Sequence, residues 1–325
     1  MTTLLLTLLV AVAAIWGALA LWYRTSGGRA LKSLSAALWL ALNIACAAAM
    51  WRGRLSVGLP VFGVAFAALM IWWKSLRPSN ERDWADDVAQ MTHGAVDGHR
   101  VILHNVRNFV WRSETDYTQR WETRSYDLER LTSLDMIVSY WTGRAIAHML
   151  LSFGFDDGTH VVFSVEIRRE KTKSFSEIGG FFKEFELIII AADERDIVRL
   201  RTNIRREDTY LFRLKISVPE MRALFLAYLD EANSLAAAPR FYHTISGNCT
   251  TLVYVMLKRI VGRLPFSYRV LLSGYLPEYV YKVGRLDGRY PLEELRALGY
   301  ISERGRQADQ SVTFSADIRE GVPSL

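Results

Sequence analysis

The chain has 325 residues, half of them hydrophobic, and a formal net charge of +6. That charge is confined: residues 1–77 hold seven basic residues and no Asp or Glu, whereas residues 78–325 hold 33 basic and 34 acidic ones, a net of −1. The basic balance therefore gives no argument for nucleic acid binding, which wants a basic face on the folded domain, and two cysteines exclude a disulfide framework without offering metal-cluster spacing.

The first 77 residues read as three membrane spans. Leu4–Tyr23, Leu34–Trp51 and Leu55–Trp73 carry no charge over twenty, eighteen and nineteen residues, and about twenty apolar residues cross the hydrocarbon core. Trp22, Tyr23, Trp51, Trp72 and Trp73 stand at span ends, where aromatic belts form. A cleaved signal peptide would need a basic n-region, which the first span lacks. Pro60 lies inside the third span, where membrane helices tolerate it, and Cys46 lies in the second span without polar company, as a packing residue does. Three spans put the N-terminus and the remaining chain on opposite sides. Arg24, Arg29 and Lys32 share the side of the large domain against Arg52 and Arg54, so basic-residue counting slightly favours a cytoplasmic domain. The expected organisation is a three-helix transmembrane region over residues 1–77 and a soluble domain over residues 78–325.

Residues 74–90 are polar, contain Pro78 and read as a linker. Asp97-Gly98 signals a turn before an extended stretch, Arg100–Trp111. Residues 121–143 are mixed, with Trp121, Tyr126, Leu128 and Leu131 available for partial burial. Ala145–Phe155 reads as a strand containing His148, Asp156-Asp157-Gly158 as a hairpin turn, and Thr159–Ile167 as the returning strand. If the loop is those three residues, His148 faces Glu166 across the pair; a two-residue loop shifts the register by one and separates them. Phe181–Ala192 and Tyr210–Ile216 read as further strands, and Val218-Pro219-Glu220 opens a helix that ends before Pro239.

The stretch Tyr242–Thr251 then leads into a helical pattern, Leu252 to Val261, closed by Gly262. Asn248 suits an N-cap, which sets Cys249 in the first turn, where the helix dipole and free N–H groups favour thiolate. Cys249 reads either as a nucleophile or as a small buried hydrophobe. A cysteine nucleophile needs a base held by a third group. His148 is one candidate, although a histidine on an apolar strand can equally be a core residue; His243, six residues before Cys249, is the other. Arg199, Arg201 and Arg205 could hold a phosphate or form a solvated face.

Several blocks in order resemble the Lnb-type family, which includes bacterial lipoprotein N-acyltransferases. They are Asp83-Trp84, Asn105-Val106-Arg107-Asn108-Phe109, Ala147-His148 with Ser152-Phe153-Gly154-Phe155, Ser164-Val165-Glu166, Asp193-Glu194-Arg195-Asp196, Arg199-Leu200-Arg201-Thr202-Asn203 and Asn248-Cys249-Thr250-Thr251. The resemblance implies an α+β, permuted papain-like domain akin to NlpC/P60 relatives, in which the histidine strand precedes the cysteine helix. It makes Cys249 and His148 the catalytic pair and Glu166 the orienting group. His243 stands where relatives are expected to carry Asn or Asp, which speaks against it as the base. The resemblance further implies acyl transfer from a membrane phospholipid, through an acyl-cysteine thioester, to the N-terminal amine of a diacylglyceryl lipoprotein, with the domain in the periplasm at the bacterial inner membrane. No cofactor, metal or nucleic acid partner is called for. Asn248, Arg199, Arg201 and Tyr275 are the expected substrate-binding residues, and Leu271–Tyr279 a loop that could shape an acyl groove. Two other readings use the same residues: a membrane-tethered cysteine amidase or peptidase acting on the cell envelope, and a non-catalytic lipid-binding module in which Cys249 is only packed.

Overall fold

In the computed structural model, residues 1–324 are described, and the chain divides into two units: residues 1–79 with 175–186, and residues 80–174 with 187–324. In the first unit, α1 (Thr2–Arg24), α2 (Arg29–Trp51) and α3 (Leu55–Ser75) are each long and apolar enough to cross a membrane. Backbones approach closely where side chains are small: a Cβ on Gly17 would stand 2.5 Å from Trp39 Nε1. That same indole donates to the Ala14 carbonyl at 3.0 Å, satisfying a polar group that lipid would not. Cys46 packs with Val10 and Met50, the packing role expected of it. Residues 175–186, expected in the larger domain and read as strand from Phe181 onward, belong to this unit instead. Phe182 stacks on Tyr23 with ring centroids 5.7 Å apart, and Lys183 Nζ donates to the Trp73 carbonyl at 2.9 Å.

The second unit is α+β. Its strands are β1 (His93–Asp97), β2 (Arg100–Arg107), β3 (Val110–Trp111), β4 (Tyr117–Thr118), β5 (Trp121–Asp127), β6 (Leu131–Thr142), β7 (Ile146–Phe155), β8 (His160–Arg168), β9 (Glu186–Ala192) and β10 (Asp208–Arg213). The main sheet runs β1-β2-β9-β8-β7-β6-β10, with β5 also pairing β2 and β3-β4 forming a small separate pair. The Asp97-Gly98 turn closes β1 onto β2, with Gly98 at φ +59, a conformation that favours glycine. The β7–β8 hairpin pairs Leu150 with Ser164 and Gly154 with His160, the register of the three-residue loop. β6, the long buried strand beside it, lies in the stretch whose sequence pattern was mixed.

After β9 come α4 (Glu194–Arg199) and a π-helical turn (Leu200–Ile204), then α5 (Val218–Ala237) and α6 (Thr251–Val261). Ser217 and Glu220 form a reciprocal capping box at the start of α5, with Pro219 in the first turn. The alternation of β7 divides the core: Ala147, Met149, Leu151 and Phe153 face the cluster containing Phe225, Tyr228 and Val253 of α5 and α6, while Leu150 faces Ile197, Val198, Ile301 and Phe314. Cys249 belongs to the first cluster. The chain ends with α7 (Leu276–Lys282), α8 (Leu292–Gly299), α9 (Ser302–Ala308) and α10 (Phe314–Asp317).

Candidate active site

Cys249 stands in the turn just before α6, which begins at Thr251, slightly later than the capping pattern suggested. Asn248 nevertheless does the capping. Its Oδ1 accepts from the N–H of Thr250 at 3.0 Å and of Thr251 at 2.8 Å, and its carbonyl accepts from Leu252 N–H at 3.2 Å. The Asn248 Nδ2 donates to the Thr244 carbonyl at 2.6 Å, tying the turn behind the cysteine. The expected substrate-binding Asn248 is thus spent on holding the turn. Through this turn the N–H groups of Asn248, Thr250, Thr251 and Leu252 are all engaged, whereas that of Cys249 has no acceptor among the described residues.

β7 brings His148 to the same place. Opposite it the β6–β7 register shifts between Ser139 and Thr142, a local break in the ladder of the kind that re-aims side chains. The His148 ring lies close enough to the Cys249 thiol for the two to act on each other's ionisation, and the Met149 backbone N–H favours the charged sulfur as well. On its other side His148 Nε2 lies 2.7 Å from Ser164 Oγ and 3.1 Å from Glu166 Oε1. The Ser164 hydroxyl donates to Glu166 Oε1 at 2.7 Å, so it accepts from Nε2–H. Nε2 therefore carries the proton, and Nδ1 is left open to the thiol.

The charges follow from these contacts. Burial disfavours the imidazolium, but the Glu166 carboxylate outweighs it and raises the His148 pKa to about 9. Burial likewise opposes ionisation of Glu166, yet His148 and Arg201 hold it well below the usual carboxylate range. Burial pushes the Cys249 thiol up, while its bond to and the charge of His148 pull it down further, leaving it lowered overall. The arrangement favours a thiolate–imidazolium pair in a site where Cys249 is 9% exposed.

Arg201 stands behind Glu166, with Nη2 3.4 Å from Oε1, and its Nη1 reaches Glu207 Oε2 at 3.1 Å. Glu207 in turn accepts from Ser139 Oγ at 2.6 Å. Arg201 is thus joined to the array, though through Glu166 rather than as an open phosphate cradle. Arg199 is not: it is buried, pairs with Asp309 at 2.7 Å and donates to the Trp111 carbonyl at 2.8 Å, outside the Cys249 array. Neither arginine belongs to a solvated face. Tyr275 ends a short turn, Ser273–Tyr275, held beside the start of β7. There the Ala147 N–H donates to Ser273 Oγ at 2.9 Å and Gly274 N–H to the Ala145 carbonyl at 3.0 Å. A Cβ on Gly274 would stand 2.0 Å from the Arg144 carbonyl oxygen, so only glycine permits the approach. His243 accepts at Nδ1 from the Ile245 and Ser246 N–H groups, a turn-forming role. Ser164 and Glu207 are the site residues that sequence reasoning passed over. Ser164 was legible, because it shares the face of Glu166 two residues on.

Residues 117–274 match the model of the Lnb N-terminal periplasmic domain. The match includes His148, Glu166 and Cys249 and leaves out the Asp83-Trp84 and Asn105–Phe109 blocks. No curated protein and no solved structure matches the chain.

Proposed function

Because residues 117–274 match the Lnb N-terminal periplasmic domain, we propose that the chain is a cysteine-dependent N-acyltransferase of the Lnb type, anchored in the bacterial inner membrane with its catalytic domain in the periplasm and built on a permuted papain-like plan. The observation that carries this reading is the bonded array His148–Ser164/Glu166 set beside Cys249, with the thiol lowered and the imidazole raised. A thiol that is only packed gains nothing from an imidazole held in one tautomer; a nucleophile does.

The thiolate of Cys249 attacks an acyl ester carbonyl of a membrane phospholipid. The unengaged Cys249 N–H is free to donate to the developing oxyanion. The His148 imidazolium gives its proton to the departing alkoxide, so that lysophospholipid leaves and an acyl thioester remains on Cys249. The N-terminal amine of a diacylglyceryl lipoprotein then attacks the thioester, His148 takes the amine proton, and the thiolate departs with the amide formed. Glu166 and Ser164 hold the ring through both halves, and Arg201 holds Glu166. Three apolar helices suit such an enzyme, since donor and acceptor are both lipids.

Mass spectrometry of the intact protein after incubation with phospholipid tests the reading. The expected result is one added acyl mass on Cys249, removed by hydroxylamine and absent in Cys249→Ser. Release of acyl groups or peptides to water without amine acylation would point instead to an envelope amidase or peptidase, and an unmodified, inert protein to a lipid-binding module.

A further inference from the structure

Within the domain core lies a cavity of ≈ 80 Å³ with almost wholly apolar walls. Its lining includes Thr250 and Val253, just after Cys249, and Met149, just after His148. A larger apolar cavity of about 150 Å³ stays dry and binds benzene, so this one suits a short aliphatic segment rather than water. The cavity shares Leu264, Tyr279, Val283 and Arg285 with an adjoining surface pocket whose wall also carries Arg263, Arg269 and Lys282.

The cations of that outer pocket differ in their partners. Arg285 is paired with Glu220 at 3.2 Å. Arg263, Arg269 and Lys282 have no carboxylate partner among the described residues, and Arg269 lies 4.9 Å over the Tyr268 ring. Most arginines on this unit do have a carboxylate, including exposed Arg112, Arg130 and Arg289. Three like charges left unpaired around one pocket repel each other and attract an anion.

Resting on the acyl-donor reading above, we propose that these two pockets form one glycerophospholipid site. Arg263, Arg269 and Lys282 hold the phosphodiester, and the start of one acyl chain enters the cavity beside Cys249. The order of groups in the ligand matches the order in the protein. A phosphate, a glycerol, an ester carbonyl and a chain follow one another in the lipid; here a cationic pocket and an apolar cavity share a wall, and the apolar cavity is lined by the residues next in sequence to Cys249 and His148. The contacts address the phosphodiester common to these lipids, so zwitterionic and anionic headgroups are both accepted, and diacylglycerol, which lacks phosphate, is not.

Equilibrium binding to full-length Cys249→Ala protein in neutral detergent tests this, with fluorescent short-chain phosphatidylglycerol, phosphatidylcholine and the matching diacylglycerol as probes. Both phospholipids are expected to bind, and the diacylglycerol at least tenfold more weakly. The combined Arg263→Ala, Arg269→Ala and Lys282→Ala variant should weaken phospholipid binding by about 10- to 100-fold, the scale of losing charge-assisted bonds, and leave diacylglycerol binding unchanged. The combined Lys variant at the two arginines should retain most of the affinity, which separates loss of charge from loss of fold. Equal binding of phospholipid and diacylglycerol, or an unaltered affinity in the triple variant, overturns the site. So does full displacement of the lipid by equimolar inorganic phosphate, which would make it a free-anion site. Selective phospholipid binding without any acyl mass on wild-type Cys249 leaves this site standing and removes the transferase; acylation from diacylglycerol at the phospholipid rate does the reverse.

Discussion

At the residue scale, Glu166 sets what His148 can do. With its carboxylate in place the imidazolium persists to about pH 9; the ordinary value is 6.5. In the proposed reaction the imidazolium protonates the leaving alkoxide, so thioester formation should fall as pH rises through about 9. In Glu166→Gln that alkaline limb should move down towards 6.5, and the rate near neutrality should drop roughly 100-fold or more, as loss of an orienting carboxylate does elsewhere. Glu166→Ala should be slower still, because it also leaves Arg201 facing a void. A stopped-flow pH profile of Cys249 acylation reads both; an alkaline limb that stays at 9 in the Gln variant would remove Glu166 from the array. The same shifts bear on stability with opposite signs. The raised His148 pKa stabilises the fold fully below the unfolded imidazole value, and that contribution is lost as pH rises through about 9. The lowered Glu166 pKa stabilises above its unfolded value of 4.5, and that contribution is lost as pH falls towards the folded one. Ser164→Ala removes a bridging hydroxyl without removing a charge. It should slow acylation by about 10- to 100-fold, the worth of a hydrogen bond to a charged group, and leave the alkaline limb near 9.

At the scale of elements, the blocks that carry the family resemblance divide into those that do chemistry and those that hold the sheet. Asp196, fully buried in α4, accepts from Arg107 Nε at 2.9 Å and Nη2 at 3.0 Å, from Phe109 N–H at 2.8 Å and from Trp111 Nε1 at 2.7 Å. It thereby binds the end of β2 and the β3 strand to the start of α4. Asp196→Ala leaves Arg107 buried and unpaired, which should lower unfolding free energy by about 3–5 kcal/mol in urea titrations of the solubilised protein. A loss under about 1 kcal/mol would mean that water reaches Arg107. The sequence made the β7–β8 register legible because Asp156-Asp157-Gly158 is a specific turn signal, and the register alone carries Glu166 to His148. It hid β6, because Ser133, Asp135 and Ser139 interrupt the apolar pattern. Each of these is buried, and Asp135 and Ser139 are satisfied only by distant residues: Arg213 and Arg319 for Asp135, Glu207 for Ser139. Tertiary partners of this kind leave no trace in local periodicity. Arg201 was misread as an open cradle for the same reason, since its carboxylates lie 35 and 6 residues away.

At the scale of the whole molecule, two physical signals disagree about the side of the membrane. The α1–α2 connection and its flanks carry Arg24, Arg29 and Lys32, against Arg52 and Arg54 around the α2–α3 connection. Lys74 and Arg77, beyond α3, add to the first side. Counted alone, these charges would keep the large unit in the cytoplasm. The family model that residues 117–274 match is that of a periplasmic domain, and the proposed lipoprotein acceptor needs the same side. Basic-residue bias acts through short loops and with a weight that grows with the difference in count, and long domains translocate largely regardless of their own charge. A difference of one residue between the two short loops, or of three with Lys74 and Arg77, is a modest restraint. A near-neutral domain of net charge −1 offers no further resistance to crossing. The expected topology is an N-terminus in the cytoplasm and the Cys249 unit in the periplasm. Alkaline phosphatase fused at the C-terminus should then be active and β-galactosidase at the same junction inactive, with both patterns unchanged in Arg24→Ala and Lys32→Ala. The opposite pair of activities would put Cys249 in the cytoplasm. There it could still form a thioester with phospholipid of the inner leaflet, but it would never meet a lipoprotein amine, and the acceptor would have to be an amine on the cytoplasmic side.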